Sequence, residues 1–107
     1  MIDYKNLPAC PVETTLSFIS DKWKVLILRD LLTGTKRFSE LKRSLSPITQ
    51  KMLTQQLREM ESDGIVNRKV YPEVPPRVEY SLTELGKSLL PVIKAMKKWG
   101  EALKEQK

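Results

Sequence analysis

The sequence contains no histidine and a single cysteine, Cys10. The first absence removes the usual general base and the commonest transition-metal ligand. The second excludes an internal disulfide and any multi-cysteine zinc site. Glycine is also sparse: Gly34, Gly64, Gly86 and Gly100 stand singly, so no glycine-rich phosphate loop is present. No paired carboxylates or nucleophile with an adjacent base stand out, and no apolar run approaches the length that crosses a bilayer. Enzyme, metalloprotein and membrane-span readings are therefore disfavoured, and no cofactor is expected. The opening residues lack the apolar core of a signal peptide, so the expected location is cytoplasmic.

What remains is one domain of 107 residues, 40% hydrophobic and 30% charged, long enough for a single core. The net charge of +6 is unevenly placed. Residues 1–35 balance, whereas residues 36–77 carry nine basic against five acidic side chains and residues 84–107 six against three. Such an excess suits a polyanionic partner, and equally a merely basic soluble surface.

Periodicity divides the chain into short elements. Pro8 and Pro11 bracket the entry to a helix at about Val12–Ser20, and a second helix at about Lys22–Thr33 is apolar on most sides and stops at Gly34. Ser39 is placed to cap a short third helix, "ELKRSL". Ser46 and Pro47 then read as the cap and first position of a fourth helix ending at Gly64, joined to the third by about three residues. This spacing predicts a helix-turn-helix over about residues 39–63. After Gly64 the period falls to 2. Val66, Val70, Val78, Tyr80 and Leu82 predict two strands, about Val66–Tyr71 and Val78–Leu82, that bury one face around the proline-stiffened loop "PEVPPR". Thr83 precedes a long last helix, about residues 84–105, that Pro91 is expected to kink.

The fold class expected is thus mainly α with a small β-hairpin (α+β), a winged helix-turn-helix with its wing over about residues 66–82. On the fourth helix Ile48, Met52, Leu53, Leu57 and Met60 share one sector, and Gln50, Lys51, Thr54, Gln55 and Arg58 the opposite one. A helix with that polar face suits the major groove of double-stranded DNA. Gln and Thr hydrogen-bond base edges there, Lys51 and Arg58 reach guanine or phosphate, and Thr49 faces the same way from the first turn. Lys36, Arg37, Ser39, Lys42 and Arg43 are candidate phosphate clamps. Arg77, at the base of the wing, is placed for the minor groove. Arg68 and Lys69 either touch phosphate or guard a sheet edge.

The blocks "CPVETTLSFISDKWKVLILRDLL", "RFSELKRSL", "ITQKMLTQQLREMESDGIVNRKVYPEVPPRVEYSLTELG" and "LLPVIKAMKKWG" stand in an order and spacing that resembles the HxlR-type transcriptional regulators, relatives of the MarR winged helices, over about Cys10–Gly100. The resemblance implies a homodimeric DNA-binding regulator, most often a repressor, recognising a partly palindromic operator. It implies dimerisation through the N- and C-terminal helices, here with Leu16, Ile19, Leu89, Ile93, Met96 and Trp99. Some relatives sense electrophiles or oxidants through a cysteine matching Cys10, where a helix N-terminus favours the thiolate. A small electrophile or thiol is then a possible partner at Cys10, and the competing reading is a small apolar residue packed at the dimer interface. The alternative function is a winged-helix module for protein interaction without sequence-specific DNA binding.

Overall fold

The computed structural model describes residues 2–106. Helix α1 (Pro11–Ile19) begins with proline in its first turn, and α2 (Lys22–Leu31) is capped by Asp21, whose carboxylate accepts from the Trp23 amide at 2.7 Å. As expected from its apolar girth, α2 lies at the centre: Ile27 and Leu28 are fully buried. A two-residue strand β1 (Lys36–Arg37) follows, then α3 (Phe38–Ser44), α4 (Gln50–Ser62), the hairpin β2 (Val66–Tyr71) and β3 (Arg77–Leu82), the single turn α5 (Glu84–Lys87) and α6 (Leu90–Lys104). No helix among the described residues is long and apolar enough to cross a membrane.

Three helix starts differ from the sequence expectation, each for a local reason. Helix α3 begins at Phe38 because the Glu40 carboxylate reaches back to accept from the Arg37 amide at 2.8 Å, which leaves Ser39 inside the helix instead of capping it. Helix α4 begins at Gln50. Thr49, with extended backbone, caps it by accepting from the Met52 amide at 3.1 Å, so neither Ser46 nor Pro47 holds the role expected of it. The connection from α3 to α4 therefore runs over residues 45–49, longer than expected, and it is pinned at both ends by the buried side chains of Leu45 and Ile48. At the C-terminus, the helix ends at Lys87 and restarts at Leu90. Pro91 sits in the first turn of α6, where no amide donor is missed, and starts a helix instead of kinking one.

The two expected strands pair as an antiparallel hairpin, with Val66 opposite Leu82 and Lys69 opposite Glu79, but β1 adds a third antiparallel strand beside β3, giving the order β1-β3-β2. Val66, Tyr80 and Leu82 enter the core, whereas Val70 is half exposed because edge strand β2 runs out past the core toward the wing. Two ties hold the sheet to the helices. Gly64, at φ +81°, ends α4, and the Thr83 hydroxyl donates to its carbonyl at 2.6 Å while accepting from the Gly86 amide at 3.1 Å. The N-terminal segment latches onto the same corner, with the Tyr4 hydroxyl donating to the Asp63 carbonyl at 2.9 Å.

The molecule measures 49 × 42 × 23 Å, with a radius of gyration of 15.0 Å. That is larger than the roughly 13 Å of a compact domain of this length. The reason is α6: Leu89, Val92 and Ile93 rest on the core at its root, and no residue of the helix itself is buried.

A side chain at Gly86 would run into the Ile65 carbonyl and the Leu82 side chain. Gly86→Ala is therefore expected to lower the unfolding free energy by about 1–3 kcal/mol, read as a fall in the urea midpoint. An unchanged midpoint would contradict the packing of α5 against the hairpin.

Candidate nucleic-acid interface

The interface is built on the rotation of α4. Leu53, Leu57 and Met60 are buried, and this turns Gln50, Lys51, Gln55 and Arg58 to solvent, with Thr54 half-buried at the margin. Met52, expected inside, is 38% exposed. The apolar sector is narrower than its spacing suggests because Ile48 fills the core position from the preceding turn. Thr49 is exposed, but its hydroxyl is committed to the cap.

Gln50, Thr54 and Arg58 line a groove of about 410 Å³ shared with Arg68 of β2 and Tyr80 of β3. On the other side Gln50 shares a depression with Ser39, Lys42 and Arg43 of α3. Arg37 and Ser39 in turn border the wing residues Glu73–Val78. One surface thus runs from α3 over the first turns of α4 to the hairpin, lined by Arg37, Ser39, Lys42, Arg43, Gln50, Thr54, Arg58, Arg68 and Arg77, while Lys51 and Gln55 border an adjoining depression on α4 itself. Lys36 stands apart, on β1 near Asp30 and Arg43.

Arg77 stands at the base of the wing, opposite Tyr71, as expected, but its side chain is already engaged there. Its guanidinium stacks 4.0 Å from the Tyr71 ring centroid, with Nη2 3.2 Å from Glu73 and Nε 3.5 Å from Glu79. The Nε separation is an ion-pair distance without hydrogen-bond geometry, so that atom has no hydrogen-bond acceptor. The side chain is folded back along the hairpin, and the outermost wing residue is the fully exposed Val74. Arg68 and Lys69 are exposed on β2, with Lys69 Nζ 4.9 Å from the same Tyr71 ring.

Periodicity gave no sign of the polar contacts behind α4. Lys24, 8% exposed on α2, donates through Nζ to Glu59 Oε1 at 2.7 Å, and Glu59 Oε2 accepts from Gln55 Nε2 at 3.3 Å. Gln56 Nε2 likewise donates to Asp21 Oδ2 at 3.3 Å. The hydrogen bond from Lys24, followed by that from Gln55, holds the Glu59 carboxyl below its ordinary range against the opposing effect of burial. The available signal was a lysine set within the apolar run of α2, which demands an anion from elsewhere in the chain.

At the termini, Leu16, Met96 and Trp99 are exposed, Trp99 by 70%, while Leu89 and Ile93 are half-buried against the core. Ile19, expected at the interface, is buried in the core. Cys10 is exposed at the N-cap of α1.

The profile of the HxlR-like helix-turn-helix family matches residues 18–107. The HTH-type transcriptional regulator YdeP of Bacillus subtilis is 54% identical over 107 residues, covering 98% of this chain and 84% of its own. Among solved structures, the HTH-type regulator YtcD superposes with a TM-score of 0.85 at 52% identity, over 91% of this chain and 99% of its own. The redox regulator HypR in its oxidized form superposes with a TM-score of 0.82 at 56% identity, over 87% and 96% respectively.

The lowered Glu59 carboxyl fixes a sign for acid sensitivity. The folded state holds this group ionised at pH values where the unfolded chain already takes up the proton. Its contribution is therefore complete above the ordinary glutamate range, about pH 4.3, and is lost as pH falls through the lower folded value. The stability difference between the wild type and Glu59→Gln should shrink as pH drops from 6 toward 3 in urea titrations. A difference that grows on acidification would reverse the assignment.

Proposed function

The chain belongs to the HxlR-like helix-turn-helix family of transcriptional regulators, a class that is not enzymatic, and on that premise we propose that it acts in the cytoplasm as a homodimeric repressor of an inverted-repeat operator. The observation that carries this reading is the outward row of Gln50, Lys51, Gln55 and Arg58, fixed by the burial of Leu53, Leu57 and Met60 behind it. In the major groove Gln50 and Gln55 would face base edges, while Lys51 and Arg58 reach guanine or phosphate. Lys42, Arg43, Arg37 and the Ser39 hydroxyl border the same surface and suit the flanking backbone. The wing contributes Arg68, Lys69 and, once released from Glu73 and Glu79, Arg77.

The second copy is proposed to cover the apolar side chains left bare at the termini, Leu16 on α1 with Met96 and Trp99 on α6. Two-fold symmetry then sets the paired α4 helices about 34 Å apart, one turn of DNA. At the N-cap of α1, Cys10 is proposed as a thiol that responds to oxidants or electrophiles, a reading supported by the likeness to the redox regulator HypR. With no second cysteine in the chain, oxidation pairs it with the partner subunit's Cys10 or with a small thiol, releasing two electrons to the oxidant.

Selection of bound duplexes from a random pool is expected to return an inverted repeat, with binding that falls steeply as salt rises. Lys42→Ala should weaken all duplexes alike and lower the salt slope by about 1, whereas Gln50→Ala should change the preferred sequence. Binding without any preference would favour the protein-interaction module instead. For the dimer, Met96→Asp combined with Trp99→Asp should give a monomer by sedimentation and weaken binding to the repeat. A mass still equal to two chains would displace the interface from α6.

A further inference from the structure

Gln55 is an unusual reading residue in that one end of its amide is already occupied before any DNA is present. Its Nε2 donates at 3.3 Å to Glu59, one turn further along α4, and the other oxygen of that carboxylate is held at 2.7 Å by Lys24. Lys24 is 8% exposed, so its ammonium depends on this anion and keeps the carboxylate from swinging away into solvent. An ionised carboxylate repels a carbonyl oxygen and attracts an amide N–H. The chain Lys24–Glu59–Gln55 therefore has a direction, and only the NH₂ end of Gln55 faces inward to Glu59. What remains on Gln55 is its oxygen and the N–H beside it, an acceptor next to a donor, which complements N6 and N7 of adenine in the major groove.

We propose that Glu59, anchored by Lys24, is a positioning residue that sets the orientation of the Gln55 amide and thereby directs it to adenine at one base pair of each half-site. The inference rests on the DNA-binding reading above and adds to it a residue that touches no base. Glu59→Gln keeps the shape and removes the direction. Lys24 still requires an acceptor, so the oxygen of the introduced amide turns to Lys24 and its NH₂ turns to Gln55, whose own oxygen must swing round to accept. The outward amide edge is reversed while the helix and its other side chains stay in place.

The test is duplex selection with the full chain in three forms: wild type, Gln55→Ala and Glu59→Gln. The wild type should enrich A·T at one position of each half-site, Gln55→Ala should lose that preference, and Glu59→Gln should reduce it by about tenfold at the same position and at no other. Because Glu59→Gln also removes a negative charge near phosphate, total affinity is free to rise, and the readout is the ratio between duplexes differing at that one pair. An unchanged ratio in Glu59→Gln overturns the inference while leaving the operator reading intact, as does enrichment of any other base there. A wild type that selects no sequence overturns both. Should Glu59→Gln fail to fold, Glu59→Asp keeps the charge beside Lys24 but falls short of Gln55. It should lower the same ratio, and an unchanged ratio again overturns the proposal.

Discussion

Burial of one side of α4 is the constraint on which the rest depends. Leu53, Leu57 and Met60 share a single core with Ile27 and Leu28 of α2, so the rotation of α4 about its axis is fixed by apolar packing and not by any ligand. The polar side follows without further choice. Had the helix been free to roll by one residue, about 100°, Gln50 and Arg58 would leave the surface they share with α3 and the hairpin. The turn before it is equally determined, since Leu45 and Ile48 anchor both ends of the connection and Thr49 closes the first turn.

Charge is distributed around this frame in two kinds. Some cations serve the fold: Lys24 is sealed against Glu59, and Arg77 is gathered between Tyr71, Glu73 and Glu79. Others, including Lys51, Arg58, Arg43 and Arg68, stand exposed on the surface that runs from α3 to β2. The excess of basic residues between 36 and 77 is thus a mixture, and only part of it is available to a polyanion. Exposed cations of this second kind act at long range and are screened by salt, while the first kind, in partly buried pairs, is screened less.

The sequence carried the order of elements well, because helical and strand periods differ and Gly34 and Gly64 mark the ends of α2 and α4 by their need for positive φ. It carried less at the starts of helices, where several candidate caps compete. Ser46, Ser39 and Thr49 are all good caps in isolation, and the winner was decided by where Ile48 and Glu40 could reach. Strand β1 was illegible because two residues have no period. Val70 and Met52 misled because alternation and helical phase continue past the edge of the core. The outward face of α4 was readable from residue types, whereas the Lys24–Glu59 contact joins positions 35 apart and belongs to tertiary packing alone.

Helix α6, which leaves the body of the molecule beyond Ile93, is in mechanical terms a lever. The stretch from Lys94 to Lys104 spans about 16 Å, and its fulcrum is the root where Leu89, Val92 and Ile93 rest on the core. A tilt of about 10° there carries the far end through about 3 Å over that length. In the homodimer proposed above, two such arms would set the separation of the paired α4 helices from a place remote from both.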